Sequence, residues 1–143
     1  MTHPGGLGPE GQKELLDELA SVLLASAPGN WELIVLEYKC IGRHVEIRVG
    51  VKDSNGQPIS WEPPAEVDKI FWRLRVGMYR EGHGTWFSSF FRMRQPGTYE
   101  VFYNWDNEPR WTADAESFAK EQELFPRSDE RTPEWFRQRL AGS

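Results

Sequence analysis

The sequence predicts an α+β fold: an antiparallel sheet of about four strands, built from two hairpins, with helices packed on one face. Three observations carry this. Two pairs of segments rich in β-forming residues, three of the four alternating apolar and polar positions, are each split by a glycine-containing turn. Two further segments repeat apolar residues every three or four positions. Their order, completed by two capped segments near the C-terminus, is α-β-β-α-β-β-α-α, and two hairpins with helices between and after them favour a sheet covered by helices.

The first helix is expected over residues 10–27, where Leu15, Leu16, Leu19, Val22 and Leu23 form one stripe that stops before Pro28-Gly29. Residues 1–9 are rich in Gly and Pro and are expected to be a disordered arm, which leaves residues 10–143 as a single domain. Gly6, Gly8 and Gly11 match G-x-G-x-x-G, but no strand precedes them to set a pyrophosphate against a helix, so the match carries no dinucleotide site.

Residues 31–40 are rich in Trp, Ile, Val and Tyr; after Ile41-Gly42 the run alternates strictly, with Val45, Ile47, Val49 and Val51 on one face and His44, Glu46 and Arg48 on the other. That pattern is a hairpin with one buried face. The second helix, residues 65–80, carries Val67, Ile70, Phe71, Leu74 and Met78 on one stripe and leaves Arg73, Arg75 and Arg80 to solvent. Residues 85–94 and 98–105 form the second strand pair. Phe87, Phe91 and Met93 face the core from one strand, and Tyr99, Val101, Tyr103 and Trp105 from the other. Trp86, Phe90, Arg92, Arg94, Glu100, Phe102 and Asn104 then fall on the opposite side, as an interface or as a face partly covered by the C-terminal helices. The last helices are expected over residues 114–125, with Thr112 as N-cap, and after Thr132 as N-cap with Pro133 at the first helical position.

Composition narrows the function classes. The chain has 143 residues, 38% of them apolar, with seven tryptophans, which suits one folded domain rather than disorder. No apolar run approaches the roughly 18 residues of a membrane span, and the N-terminus lacks the basic and apolar regions of a signal peptide, so a cytoplasmic protein with no membrane partner is expected. The single Cys40, inside WELIVLEYKC, reads as a packed thiol. A net charge of -5 argues against direct nucleic-acid binding, which needs a basic stripe. Residues 106–134 hold nine acids (Asp106, Glu108, Asp114, Glu116, Glu121, Glu123, Asp129, Glu130, Glu134) against four bases (Arg110, Lys120, Arg127, Arg131), an excess equal to the charge of the whole chain. Such a segment is either a solvated helix surface or a landing site for a basic partner.

Signals of catalysis are thin. His3, His44 and His83 share no metal-ligand or catalytic spacing, and no phosphate-binding loop, nucleophile elbow or Cys/His dyad occurs. Asp106 and Glu108 are the best carboxylate pair, but Pro109 and Arg110 interrupt the run of oxygen donors a cation needs. No enzyme activity, cofactor or metal is therefore expected.

The N-terminal amphipathic helix, the strand opening with Trp31, the central helix DKIFWRLRVGMYREG, the block GTWFSSFFRMRQPGTYEVFYNWDNEP and the closing segment from Leu124 to Trp135 together resemble the YezG/EsaG-type immunity proteins over most of residues 10–140. In that family a strand ends in a sequence of the form F-x-Y-D-Y. FYNWDNEP is similar, with Asn104 in place of one acidic residue and Trp105-Asp106 keeping the aromatic–acid pair. The sequence departs from the family in its short N-terminal region and its Pro/Gly-rich loops. The resemblance implies a small cytosolic antitoxin that neutralises a secreted polymorphic toxin, commonly a nuclease. The acidic segment agrees with this independently, because a phosphate-binding nuclease cleft is basic. The expected partner-binding residues are Phe102, Asn104, Trp105, Asp106, Glu108, Trp111, Asp114, Glu116 and Trp135, and the chain is expected to be a monomer or a homodimer. Two other readings stand beside it: a secretion escort for an effector, and a small enzyme or ligand-binding module using His83, Asp106 and Glu108.

Overall fold

The computed structural model describes residues 4–142. The elements are α1 (Pro9–Ser26), β1 (Trp31–Ile41), β2 (His44–Asp53), α2 (Glu66–Gly77), β3 (Ser88–Arg94), β4 (Thr98–Asn104), α3 (Ala115–Leu124), a 3-10 turn (Asp129–Arg131) and α4 (Glu134–Gly142). The strands form one antiparallel sheet in the order β2-β1-β3-β4, so the predicted α+β class is the observed one. No helix among the described residues is long and apolar enough to cross a membrane.

The main core follows from the two periodicities. Ile34, Leu36, Tyr38 and Cys40 point from β1 to the same side as Phe91 and Met93 of β3. Against them lie Leu15, Leu16, Leu19 and Leu23 of α1 and Val67, Ile70, Phe71 and Leu74 of α2. Tyr38 stacks on Phe71 at 4.8 Å, and its hydroxyl donates to Asp68, so the ring is buried while its polar tip is satisfied. Cys40 is packed as expected, and burial pushes its thiol up to about 11. Pro9 starts α1 because its fixed φ suits the first turn. Positions 1–3 of the expected disordered arm lie outside the described residues. Beyond them, the Gly5 and Leu7 amides donate to the Val76 and Gly77 carbonyls, and Leu7 covers Gly77 so closely that a Cβ there would meet it at 2.8 Å.

Five expectations are corrected. The helices do not share one face: α1 and α2 cover the core side, whereas α3 and α4 wrap the end of the sheet where β1 turns into β2. There Ile41, on the side of β1 opposite Cys40, joins Phe87, Phe118 and Phe136 in a second buried cluster. Next, β3 begins only at Ser88, after a bend at Phe87. The bend reverses the alternation, so Trp86 enters the main core and Phe87 the second cluster. Arg75, expected in solvent, is fully buried because α3 packs over the end of α2. Finally, Asp114 rather than Thr112 caps α3, accepting from the Ser117 amide at 3.0 Å. Thr112 instead donates its amide to Glu46 on β2, and the Thr132 hydroxyl donates to the Ser128 carbonyl rather than capping α4.

Candidate functional site

The end of β4 organises the surface. Asn104 terminates the strand by folding its side chain over the following backbone: Oδ1 accepts from the Asn107 amide at 3.0 Å, while Nδ2 donates to the Asn107 carbonyl at 2.7 Å and to Ser88 Oγ at 3.1 Å. The chain then crosses the outer side of the sheet. Arg110 accepts a short hydrogen bond from Lys39 through its carbonyl, and the Thr112 amide meets Glu46 at 2.9 Å. This crossing covers the sheet near the β1–β2 turn and leaves the rest of the outer face open.

On the open part stand Phe90 and Phe102, directly opposite each other on β3 and β4. They are 47% and 54% exposed, among the few large apolar side chains that are. Glu37, Ser88, Asn104, Asn107 and Pro109 complete a shallow hollow of about 460 Å³ around them. Arg92 and Glu100, 3.8 Å apart on the same face, border the ring pair.

The other expected contact residues divide by what they touch. Trp111 and Trp135 turn inward: their rings lie 6.2 Å apart, both pack on Phe87, and Trp135 Nε1 donates to the Asp106 carbonyl at 2.7 Å. Glu108 accepts from Trp111 Nε1 at 3.0 Å and pairs with Arg139 of α4 at 2.9 Å. These three residues fasten α4 to the sheet. Trp105 is half-buried against the main core. Asp114 caps α3, and its hydrogen bonds from Ser117 hold the carboxyl below its usual value. Asp106 and Glu116 are exposed. Glu121 leaves the acidic surface altogether, and so does Arg127, so the negative excess of the segment at the surface is unchanged.

Sequence reasoning missed those buried charges. Glu121 is buried in an ion pair with Arg75 at 2.6 Å, and its second oxygen accepts from the Gly42 amide at 2.8 Å. Burial opposes the Arg75 charge, but the Glu121 carboxylate outweighs it and holds the guanidinium above its ordinary value. A signal was present: Phe118, Glu121 and Phe125 fall at steps of three and four on one helical stripe. Arg127 donates to the carbonyls of Thr85, Trp105 and Arg131 at 2.8 to 3.0 Å, and its guanidinium lies 4.5 Å over the Phe87 ring. It crosses Gly84, whose φ of +75° and lack of a side chain are both required, since a Cβ there would sit 2.5 Å from Arg127 Nε.

The three residues of the small-enzyme reading are not brought together. His83 and Asp106 line one cleft, with Arg127 at its wall, whereas Glu108 faces Arg139 and Trp111 elsewhere. Among the described residues no group of three His, Cys, Asp or Glu side chains could hold a metal ion. Comparison of the sequence with protein-family models and with curated proteins gives no match.

Proposed function

We propose that this chain is a non-enzymatic immunity protein that binds a cognate secreted toxin, a nuclease, through the open outer face of its sheet and the acidic surface beside it. The observation that supports the reading is the Phe90–Phe102 pair. Two half-exposed rings set side by side on a rigid sheet form an anchor of the kind that dominates protein interfaces, and covering them recovers about 1 kcal/mol each. The excess of carboxylates along residues 106–134 supplies the long-range attraction that brings a basic, phosphate-binding surface into register.

The test is titration of the full chain with the toxin domain encoded beside it. Substituting Phe90→Ser and Phe102→Ser together is expected to weaken binding at least about tenfold with the melting temperature little changed. Reversal of Asp106 and Glu116 to Lys should slow association and flatten its dependence on salt. Glu108 and Asp114 are unsuitable for that reversal, because one holds Arg139 and the other caps α3. Binding that survives the double Phe substitution within twofold removes this docking face. A toxin that binds yet keeps its activity makes the chain an escort instead.

A further inference from the structure

A second feature lies apart from the Phe90–Phe102 face. The turn at residues 80–84, the end of β4 and the 127–133 segment enclose a cleft of about 520 Å³, within the range of small-ligand sites. Arg80, His83, Asp106, Arg127, Glu130 and Arg131 contribute its charged groups. The walls are tied together by backbone bonds: Arg80 pairs with Gly84, and the Ser128 amide donates to the Gly82 carbonyl at 2.8 Å. The cleft is thus built before any ligand arrives.

Its charges are arranged by depth. Arg127 is buried, and all its acceptors are neutral carbonyls; it forms no ion pair among the described residues, and its Nε has no hydrogen-bond partner. Asp106 and Glu130 are exposed, where water screens them, and neither forms an ion pair among the described residues. Arg80 and Arg131 are likewise outside any ion pair among the described residues. The Arg127 guanidinium is held by carbonyl dipoles, and buried Glu121 and exposed Asp106 lie near enough to favour its charge; the cleft lining itself sets three guanidinium groups against two water-screened carboxylates. Guanidinium groups bind planar or tetrahedral oxyanions through paired N–H donors.

We infer that this cleft is a binding site for a small oxyanion, a phosphate or a carboxylate, held by Arg80, Arg131 and His83 above the buried Arg127. The site shares Asp106 with the acidic surface but no lining residue with the Phe90–Phe102 hollow, and its test uses small anions with no protein partner, so failure of one reading is distinguishable from failure of the other.

The experiment is a thermal-shift and calorimetric titration of the full chain with inorganic phosphate, acetate and chloride at one fixed ionic strength. A saturable response to phosphate or acetate and none to chloride is expected, and the anion that binds more tightly identifies the ligand as phosphate-bearing or carboxylate-bearing. The double variant Arg80→Ala, Arg131→Ala, which leaves the Arg131 carbonyl for Arg127, should weaken that binding about tenfold. Asp106→Asn should tighten it about twofold by removing a rim charge. Equal responses to all three anions, or binding unchanged in the Arg80/Arg131 variant, would overturn the site.

Discussion

The two sides of the sheet are stabilised by different physics. On the α1/α2 side, Leu19, Leu23, Ile34, Leu36, Val67, Phe71 and Leu74 are buried among one another, and charged groups meet the cluster only at its edge, where Asp68 accepts from Tyr38 and Arg75 donates to the Trp86 carbonyl. On the α3/α4 side the buried apolar residues are fewer, among them Ile41, Phe87, Phe118, Phe125 and Phe136, and polar pairings surround them: Arg75 with Glu121, Arg127 with three carbonyls, Trp111 with Glu108 and Trp135 with the Asp106 carbonyl. Burial of apolar surface is non-directional and tolerates exchange of one hydrophobe for another. A buried charge stripped of its partner is left uncompensated, at a cost of several kcal/mol. The first side should therefore respond to volume, the second to chemistry.

The largest expected effect tests that division at its seam. Glu121→Ala leaves the Arg75 guanidinium and the Gly42 amide buried without their acceptor, and should cost about 4 kcal/mol in urea unfolding. The near-isosteric Glu121→Gln keeps the shape and loses the charge, and should still cost more than about 2 kcal/mol. The pair change Arg75→Met with Glu121→Leu should recover most of the loss. A cost below about 1 kcal/mol for Glu121→Ala would dissolve the distinction between the two sides.

The α1/α2 side gives the next largest effect. Leu23 is fully buried, so Leu23→Ala should cost about 3 kcal/mol through lost transfer energy and the cavity left behind. Leu23→Met, matched in volume, should cost less than about 1.5 kcal/mol. The sharper measure is the contrast between the two near-isosteric changes. If Leu23→Met and Glu121→Gln cost the same, directional pairing is not what holds α3.

The same division governs what could be read from the sequence. The stripes of α1 and α2 and the alternation of β2 are local patterns, and they place Leu19, Phe71 and Val51 in the core without reference to anything distant. Alternation also puts Phe102 and Asn104 on the side of β4 away from Tyr103. It fails at Trp86 and Phe87, because a bend before Ser88 inverts the parity and no glycine or proline marks it. Arg75 lies off the apolar stripe of α2 and Glu121 within an acidic run, so local pattern places neither in the interior; only their pairing across 46 residues makes burial tolerable, and a local window contains one partner at a time. Trp111 and Trp135 look like exposed anchors for the same reason, since the second cluster that receives them forms only when α4 docks.

The smallest effect concerns the other end of α3, where the side chain is in water. Asp114 accepts from the Ser117 amide at 3.0 Å and from its hydroxyl at 2.8 Å, and these bonds favour the ionised carboxylate over the protonated form. Its folded-state value therefore lies below the ordinary 3.8, and the linkage has one sign. The contribution is present above the unfolded value and is lost as pH falls through the depressed folded one. Asp114→Ala should lower stability slightly at neutral pH and converge with the unmodified chain in strong acid, read from unfolding curves collected at successive pH values. Asp114→Asn should retain the cap while removing that pH dependence, because an amide oxygen accepts from the same donor. It also separates two roles for this residue: capping survives the change, whereas a purely electrostatic contribution to partner association does not. A loss from Asp114→Ala as large as that from Glu121→Ala would mean that α3 is held by its exposed start rather than by its buried charge, and would reverse the order of the two regions.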